Sequence, residues 1–242
     1  MLKGYSTYKK WLWPLNDTKA RREMVDGESW KDIDRVIPYV TGTRSVVQAG
    51  GNCGVWASRL TKWFSNIYTF EPDPVNFVAL AVNTAPYHNV HRFQCALGDY
   101  PEHVVIARTH KDNIGNYRVG GTTPLNDGVP ILKLDDLHLN EVDLILLDIE
   151  GYEAHALCGA HDTIQRCLPV VMMEDKGMDA KHHGLPRGAA VSYLERMGYE
   201  VKERVARDVI MVPGEKLAAG KWECPIGYPG CEENCGNYGC GN

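Results

Sequence analysis

Apolar positions follow two periods along the chain, and their alternation predicts the architecture. Trp30, Ile33, Ile37 and Val40 stand at helical spacing, which predicts a short amphipathic helix from about Ser29. Ser45 to Ala49 is a short β-branched stretch, followed by a glycine cluster and by Trp56, Leu60, Trp63 and Phe64 on one face of a helix. Asn66 to Phe70 predicts a second strand. Asp73 then offers an N-cap with Pro74 at the first helical position, and Val75, Val78, Ala79 and Val82 continue the helix. Val90 to Cys95 and Val104 to Ala107 are further strand candidates, and the Gly- and Asn-rich residues 112–128 predict an exposed excursion.

Leu144 to Leu147 is a continuous apolar run ending in Asp148, the pattern of a strand covered on both faces. A helix is predicted from about Tyr152 to Arg166, a strand from Pro169 to Met173, and a helix from Ala190 to Met197. Glu200 to Val205 and Val209 to Val212 face each other across Ala206-Arg207-Asp208 as a hairpin. Strands alternating with helices of this length imply an α/β domain: a mainly parallel sheet with helices on both faces and one antiparallel edge. The expected division is an N-terminal extension over 1–40, a main domain over 41–213 and a Cys- and Gly-rich tail over 214–242.

Composition narrows the function. The 242 residues carry 26 Lys plus Arg against 31 Asp plus Glu, a net charge of −5, and no basic run that would suit nucleic acid or an anionic membrane. An apolar content of 44 % with 24 % charged residues is that of a folded globular chain. No stretch approaches the ~18 apolar residues of a membrane span, and Lys and Pro interrupt the N-terminal apolar residues before a signal-peptide core forms. Cys53, Cys95, Cys158 and Cys167 are dispersed through hydrophobic sequence, as free thiols in a reducing compartment are. A soluble, cytoplasmic protein is expected. The remaining cysteines, Cys224, Cys231, Cys235 and Cys240, have six, three and four residues between them, a spacing open to a zinc site, to disulfides or to free thiols in a flexible tail.

In a doubly wound sheet ligands bind outside the carboxyl ends of the strands, so functional residues should follow the strand candidates directly. After the first stands Gln48-Ala49-Gly50-Gly51-Asn52-Cys53-Gly54, small residues that let the backbone approach a ligand at a helix amino end. After the second stands Phe70-Glu71-Pro72-Asp73, with Glu71 about 20 residues on, where an acid can accept from ribose hydroxyls. Alone, the glycines describe any tight turn and Glu71 any solvated carboxylate; together they indicate a nucleoside-containing cofactor. Asn52 and Val55 stand where a dinucleotide fingerprint needs its second and third glycines, which disfavours NAD. S-adenosylmethionine has no pyrophosphate and makes no such demand.

The segments VVQAGGNCG (46–54), YTFEPDPVNF (68–77), Ala96-Leu97-Gly98, LDDL (134–137), VDLILLDIEGYE (142–153) and LPVVMMED (168–175) resemble, in that order, the FkbM-type S-adenosylmethionine-dependent methyltransferases. The resemblance spans residues 45 to about 213. It implies a Rossmann-like class I methyltransferase fold with a seven-stranded sheet, S-adenosylmethionine as donor, S-adenosylhomocysteine as product, and usually an oxygen nucleophile. It places Gly50, Asn52 and Gly54 around the methionine moiety, Glu71 with Pro72 at the ribose, Ala96 and Leu97 at the adenine, and Asp148 beside the methyl group. Many such enzymes carry Asp where this chain has Gln48, so the methionine ammonium is left to a neutral amide or to backbone.

Asp148, Glu150 and Glu174, with Asp175, bring carboxylates to one rim. A carboxylate ending an apolar strand is costly unless it opens into a polar mouth. A hydroxyl acceptor must lose its proton, and Asp148, Glu150, Glu174, His182 and His183 are the candidate bases. Alternatively Asp148 and Glu174 hold a divalent cation, as in catechol-type O-methyltransferases, although two strong ligands are few for Mg²⁺. Glu150 also suits a cap for the following helix, and the histidine pair a solvated loop. Trp11, Trp13 and Trp30 form either an aromatic lid or packing on the core. The expected activity is O-methylation of a small-molecule or glycan-like acceptor, with no nucleic-acid partner and no membrane insertion; a non-catalytic scaffold and a nicotinamide-dependent oxidoreductase are the alternatives.

Overall fold

The computed structural model describes residues 2–15, 17, 19–28, 31–99, 103–108, 117–122, 128–176 and 185–215. Seven strands form the main sheet: β3 (Ser45–Ala49), β4 (Asn66–Phe70), β5 (Val90–Phe93), β10 (Leu144–Leu147), β11 (Val170–Glu174), β12 (Tyr199–Val205) and β13 (Asp208–Pro213). Their spatial order is β12-β13-β11-β10-β3-β4-β5, with β10 at the centre, β3 beside it and the crossovers reversing between β3 and β10. The seven-stranded, Rossmann-like sheet that the resemblance implies is present. One detail differs: β13 is antiparallel to both β11 and β12, so the reversed strand lies one place inside the edge and β12 runs with the other five.

Alternation across the pleat explains why β3 and β10 are buried throughout. Val47, Ile145 and Leu147 face one way, toward α4 (Glu153–Cys158), α5 (His161–Cys167) and α6 (Ala189–Arg196). Val46, Leu144 and Leu146 face the other way, toward α1 (Lys31–Val36) and α2 (Val55–Leu60). α3 (Pro74–Thr84) starts as its sequence predicts: the Asp73 carboxylate accepts from the amides of Val75 and Asn76, both at 2.9 Å.

Three elements depart from the expectations. The helix expected from Tyr152 to Arg166 is two helices, broken at Gly159, where a Cβ would run into the Gly98 carbonyl. The excursion contains a strand, β8 (Tyr117–Thr122), paired with β7 (His103–Arg108) in a second sheet of order β6-β9-β7-β8, where β6 is Ala96–Leu97 and β9 is Val129–Leu132. The N-terminal residues, which show no clear period, form a hairpin of β1 (Tyr5–Tyr8) and β2 (Trp11–Pro14), followed by a π-helical turn at Arg22–Asp26.

The hairpin is fastened to α3. The Leu12 amide donates to Asn83 Oδ1 at 2.7 Å, Asn83 Nδ2 donates back to the Leu12 carbonyl at 2.9 Å, and the Tyr5 hydroxyl donates to the Val75 carbonyl at 2.9 Å. Trp13 is fully buried among Cys53, Val55 and Ala79, and its indole N–H donates to Asp17 Oδ2 at 2.8 Å. For Trp13 the aromatic question therefore resolves to packing, and Trp11 packs half-buried on the same cluster. Trp30, His182, His183 and the four cysteines of the tail lie outside the described residues.

Candidate functional site

β3, β4 and β10 end side by side, Ala49 paired with Leu147 on one side and Phe70 on the other, and the segments after them converge. The amides of Gly50 and Gly51 both donate to the Phe70 carbonyl, at 3.0 and 2.8 Å, and fold the chain sharply away from β3. Gly50 has φ +87, and a Cβ there would strike the Asp148 carbonyl, so glycine is required on two counts. The turn brings the Asn52 amide to Glu71 Oε2 at 2.6 Å, while Glu71 Oε1 accepts from the Asp73 amide at 2.9 Å. Glu71 thus ties together the loops after β3 and β4. It is 4 % exposed, and burial pushes its carboxyl up to about 8 against the pull of those two amides.

A cavity of about 490 Å³ opens over these loops, within the range of small-molecule sites. Gly50, Asn52, Glu71 and Pro72 line it on one side. Ala96 and Leu97 line the next wall with Cys95 and Tyr152. The Tyr152 ring stacks on His155 with centroids 4.4 Å apart, and His155 Nδ1 lies 3.1 Å from the Asp99 carboxylate. Asp148, Glu150 and Glu174 form the third wall, with one oxygen from each lying within 4.8 Å of the others. Two of the expected cofactor residues stay outside the lining. The Gln48 amide is spent within the scaffold: Nε2 donates to the Gly50 carbonyl at 3.0 Å and Oε1 accepts from the Thr69 hydroxyl at 2.7 Å. Gly54 opens α2 and packs it against Leu80 and Thr84 of α3.

The carboxylate wall carries a cation that sequence reasoning missed. Lys176 Nζ lies 2.6 Å from Glu174 Oε2 and 3.1 Å from Glu150 Oε2, two residues past the end of β11. Burial and the charge of Asp148 push the Glu174 carboxyl up, and burial also raises that of Glu150, in each case against Lys176. Glu150 pairs with Lys176 rather than capping α4. α4 has no side-chain cap, and Glu153 at its start reaches back instead, its Oε1 accepting from the amides of Ile149 and Gly151 at 3.1 and 3.3 Å. That closes a loop in which Glu150 has φ +57. Asp148 is exposed, and among the described residues its carboxylate has no hydrogen-bond or ion-pair partner. Lys19, Glu23 and Met24 of the N-terminal segment and Arg207 of the β12–β13 turn complete the lining used below.

Buried carboxyls have a measurable consequence. Glu71, at about 8, and Glu153, pushed up to about 7 mainly by burial, both titrate above the ordinary carboxyl range, so the folded chain binds more protons than the unfolded chain from about pH 4.5 upward. Stability therefore falls as pH rises through that window. His161, lowered by burial, acts in the opposite direction only on the acid side of its ordinary value of 6.5. Between pH 6.5 and 8 the ligand-free protein should lose about 1–3 kcal/mol and melt several degrees lower. Calorimetric melting at those two pH values checks this; an equal or higher melting temperature at pH 8 contradicts it.

The chain matches the methyltransferase FkbM domain over residues 48–201, well over half of its length. Among solved structures it is similar to a methyltransferase FkbM from Methylobacillus flagellatus KT (16 % identity, 70 % of this chain, TM-score 0.49). The match covers 43 % of that chain, so this one spans less than half its relative's length. It is also similar to a methyltransferase from Geobacter sulfurreducens (13 % identity, 80 % of this chain and 83 % of that chain, TM-score 0.46). A third is the N-methyltransferase NodS from Bradyrhizobium japonicum WM9 in complex with S-adenosyl-l-homocysteine (9 % identity, 77 % and 85 %, TM-score 0.47). No curated protein matches the chain. With the domain match running from the end of β3 through the carboxylate wall, the chain belongs to the FkbM methyltransferase family.

Proposed function

We propose that this protein binds S-adenosylmethionine in the cavity and transfers its methyl group to a hydroxyl of a small-molecule or glycan-like acceptor. The observation that carries the reading is Glu71: a buried acid, aimed into a 490 Å³ cavity, that holds two neighbouring loops and keeps acceptor capacity to spare. Its oxygens accept the Asn52 and Asp73 amides and a side-chain hydrogen bond from Asn76, which leaves one acceptor direction for a ribose hydroxyl. The Gly50 turn supports the same fit, since a side chain there would close the space between β3 and Asp148.

The bound cofactor supplies an electrophilic methyl on a sulfonium, already reactive toward in-line displacement. The chain's part is positioning and proton removal. Gly50 and Asn52 border the methionine end, Ala96 and Leu97 the adenine, and Asp148 takes the acceptor's hydroxyl proton as the oxygen gains the methyl. Orientation of the two reactants is worth up to ~7–11 kcal/mol and a general base about 10² to 10⁴ in rate. With the Gln48 amide committed to Gly50 and Thr69, backbone carbonyls and the Asp148 side of the cavity are left for the methionine ammonium. Lys19, Glu23 and Met24 support a role for residues 1–40 in shaping the acceptor side. Among the described residues no helix is long and apolar enough to cross a membrane. Cys53, Cys95, Cys158 and Cys167 are in no disulfide, which supports the cytoplasmic setting we propose.

Titration calorimetry with S-adenosylmethionine and with NAD tests the reading. Binding of the first alone supports it; binding of NAD, or of neither, overturns it. A crystal structure with S-adenosylhomocysteine would then show the acceptor space opposite the sulfur.

A further inference from the structure

The Asp148–Glu150–Glu174 wall has the makings of a divalent-cation site: three carboxylates from two adjacent strand ends, with oxygens within 4.8 Å of one another. Yet the described chain already fills the position between two of them. Lys176 reaches back over the end of β11 and sets its ammonium 2.6 Å from Glu174 and 3.1 Å from Glu150, with about a fifth of its side chain exposed. An ion bridging the same oxygens would sit ~2 Å from them and therefore well inside contact distance of the ammonium, like charge against like charge. Occupation by lysine and occupation by a metal are mutually exclusive.

We propose that Lys176 is the built-in substitute for a divalent cation at this wall. It is a positioning residue: it holds Glu150 and Glu174 together, offsets their charge, and leaves Asp148 as the carboxylate with free acceptor capacity toward the cavity. Arg207, which also lines the cavity, adds positive potential that acts on Glu150. The contribution to methyl transfer rests on the function proposed above; the exchange of ammonium for metal does not, and its test needs no acceptor.

That test is Mn²⁺ binding followed by electron paramagnetic resonance of the free ion at pH 8. The wild-type chain should bind Mn²⁺ no more tightly than Kd of about 1 mM, and Lys176→Ala should gain a site at least about tenfold tighter, because three converging carboxylates are then available. Lys176→Met serves in its place if the alanine variant fails to give a cooperative melting transition. Lys176→Arg, which keeps the charge, should gain nothing, and Lys176→Ala combined with Glu174→Gln should lose the gained site. Tight Mn²⁺ binding by the wild type that Glu174→Gln abolishes, or no gain on removing the lysine, overturns the proposal. Calorimetry with S-adenosylmethionine on the same samples reports separately on the proposed function: loss of that reading leaves the Mn²⁺ result standing, and the reverse.

Discussion

Replacing Glu71 by alanine should weaken S-adenosylmethionine binding by about 1.5–3 kcal/mol, roughly ten- to a hundredfold or more, as measured by calorimetry. Two losses combine. A ribose hydroxyl loses its acceptor, and the amides of Asn52 and Asp73 lose the carboxyl group that holds both loops at the cavity. Glu71→Gln separates them. The amide side chain keeps the shape and one carbonyl acceptor, so it should cost less affinity. Its NH2 faces one of the two backbone amides that the carboxyl group accepts, so it should melt below wild type at pH 6.5, and the gap should narrow at pH 8, where the wild type must ionise its buried acid. Unchanged affinity in Glu71→Ala would remove Glu71 from the ribose and leave it a purely structural tie.

Much of this site was legible because strand ends are written in the sequence twice, once as apolar runs and once as the residues that interrupt them. Leu144 to Leu147 followed by Asp148, and Asn66 to Phe70 followed by Glu71, each announced a buried strand and the group at its mouth. Asp73-Pro74 likewise announced the start of α3. What stayed hidden depends on tertiary approach. Gly159 breaks a helix because Gly98, sixty-one residues earlier, comes against it, and no local pattern records that. The β1–β2 hairpin carries polar residues on both faces; its anchorage lies in Asn83 and Val75, which read only as α3 residues. The motif leaves the methionine ammonium to the Gln48 amide or to backbone, and the amide is consumed by Gly50 and Thr69. Lys176 follows a recognisable strand end and a pair of acids, yet a lone lysine on the way into a loop normally points to water. Its role becomes visible only when Glu150, twenty-six residues away, is seen on its other side.

Asp148→Asn should lower turnover with a hydroxyl acceptor by about 10² to 10⁴ while leaving the fold intact. The argument turns on which carboxylate is free to take a proton. Glu153 is turned inward to close the Ile149–Gly151 loop, and Glu71 is tied to two amides. Glu150 and Glu174 share Lys176, so a proton arriving on either must displace an ion pair. Asp148 alone of this set is exposed in the cavity without a partner among the described residues. Asparagine is nearly isosteric and can still accept one hydrogen bond, so it preserves packing and removes only the basic site. The melting temperature of Asp148→Asn should accordingly stay within a few degrees of wild type, and single-turnover formation of S-adenosylhomocysteine should be slow at every pH. Glu174→Gln should behave differently, disturbing the placement of Lys176 and costing less in rate than the loss of Asp148. Full activity in Asp148→Asn, or a larger defect in Glu174→Gln, would transfer the proton-accepting role to the Lys176-bound pair and reverse the assignment of the wall.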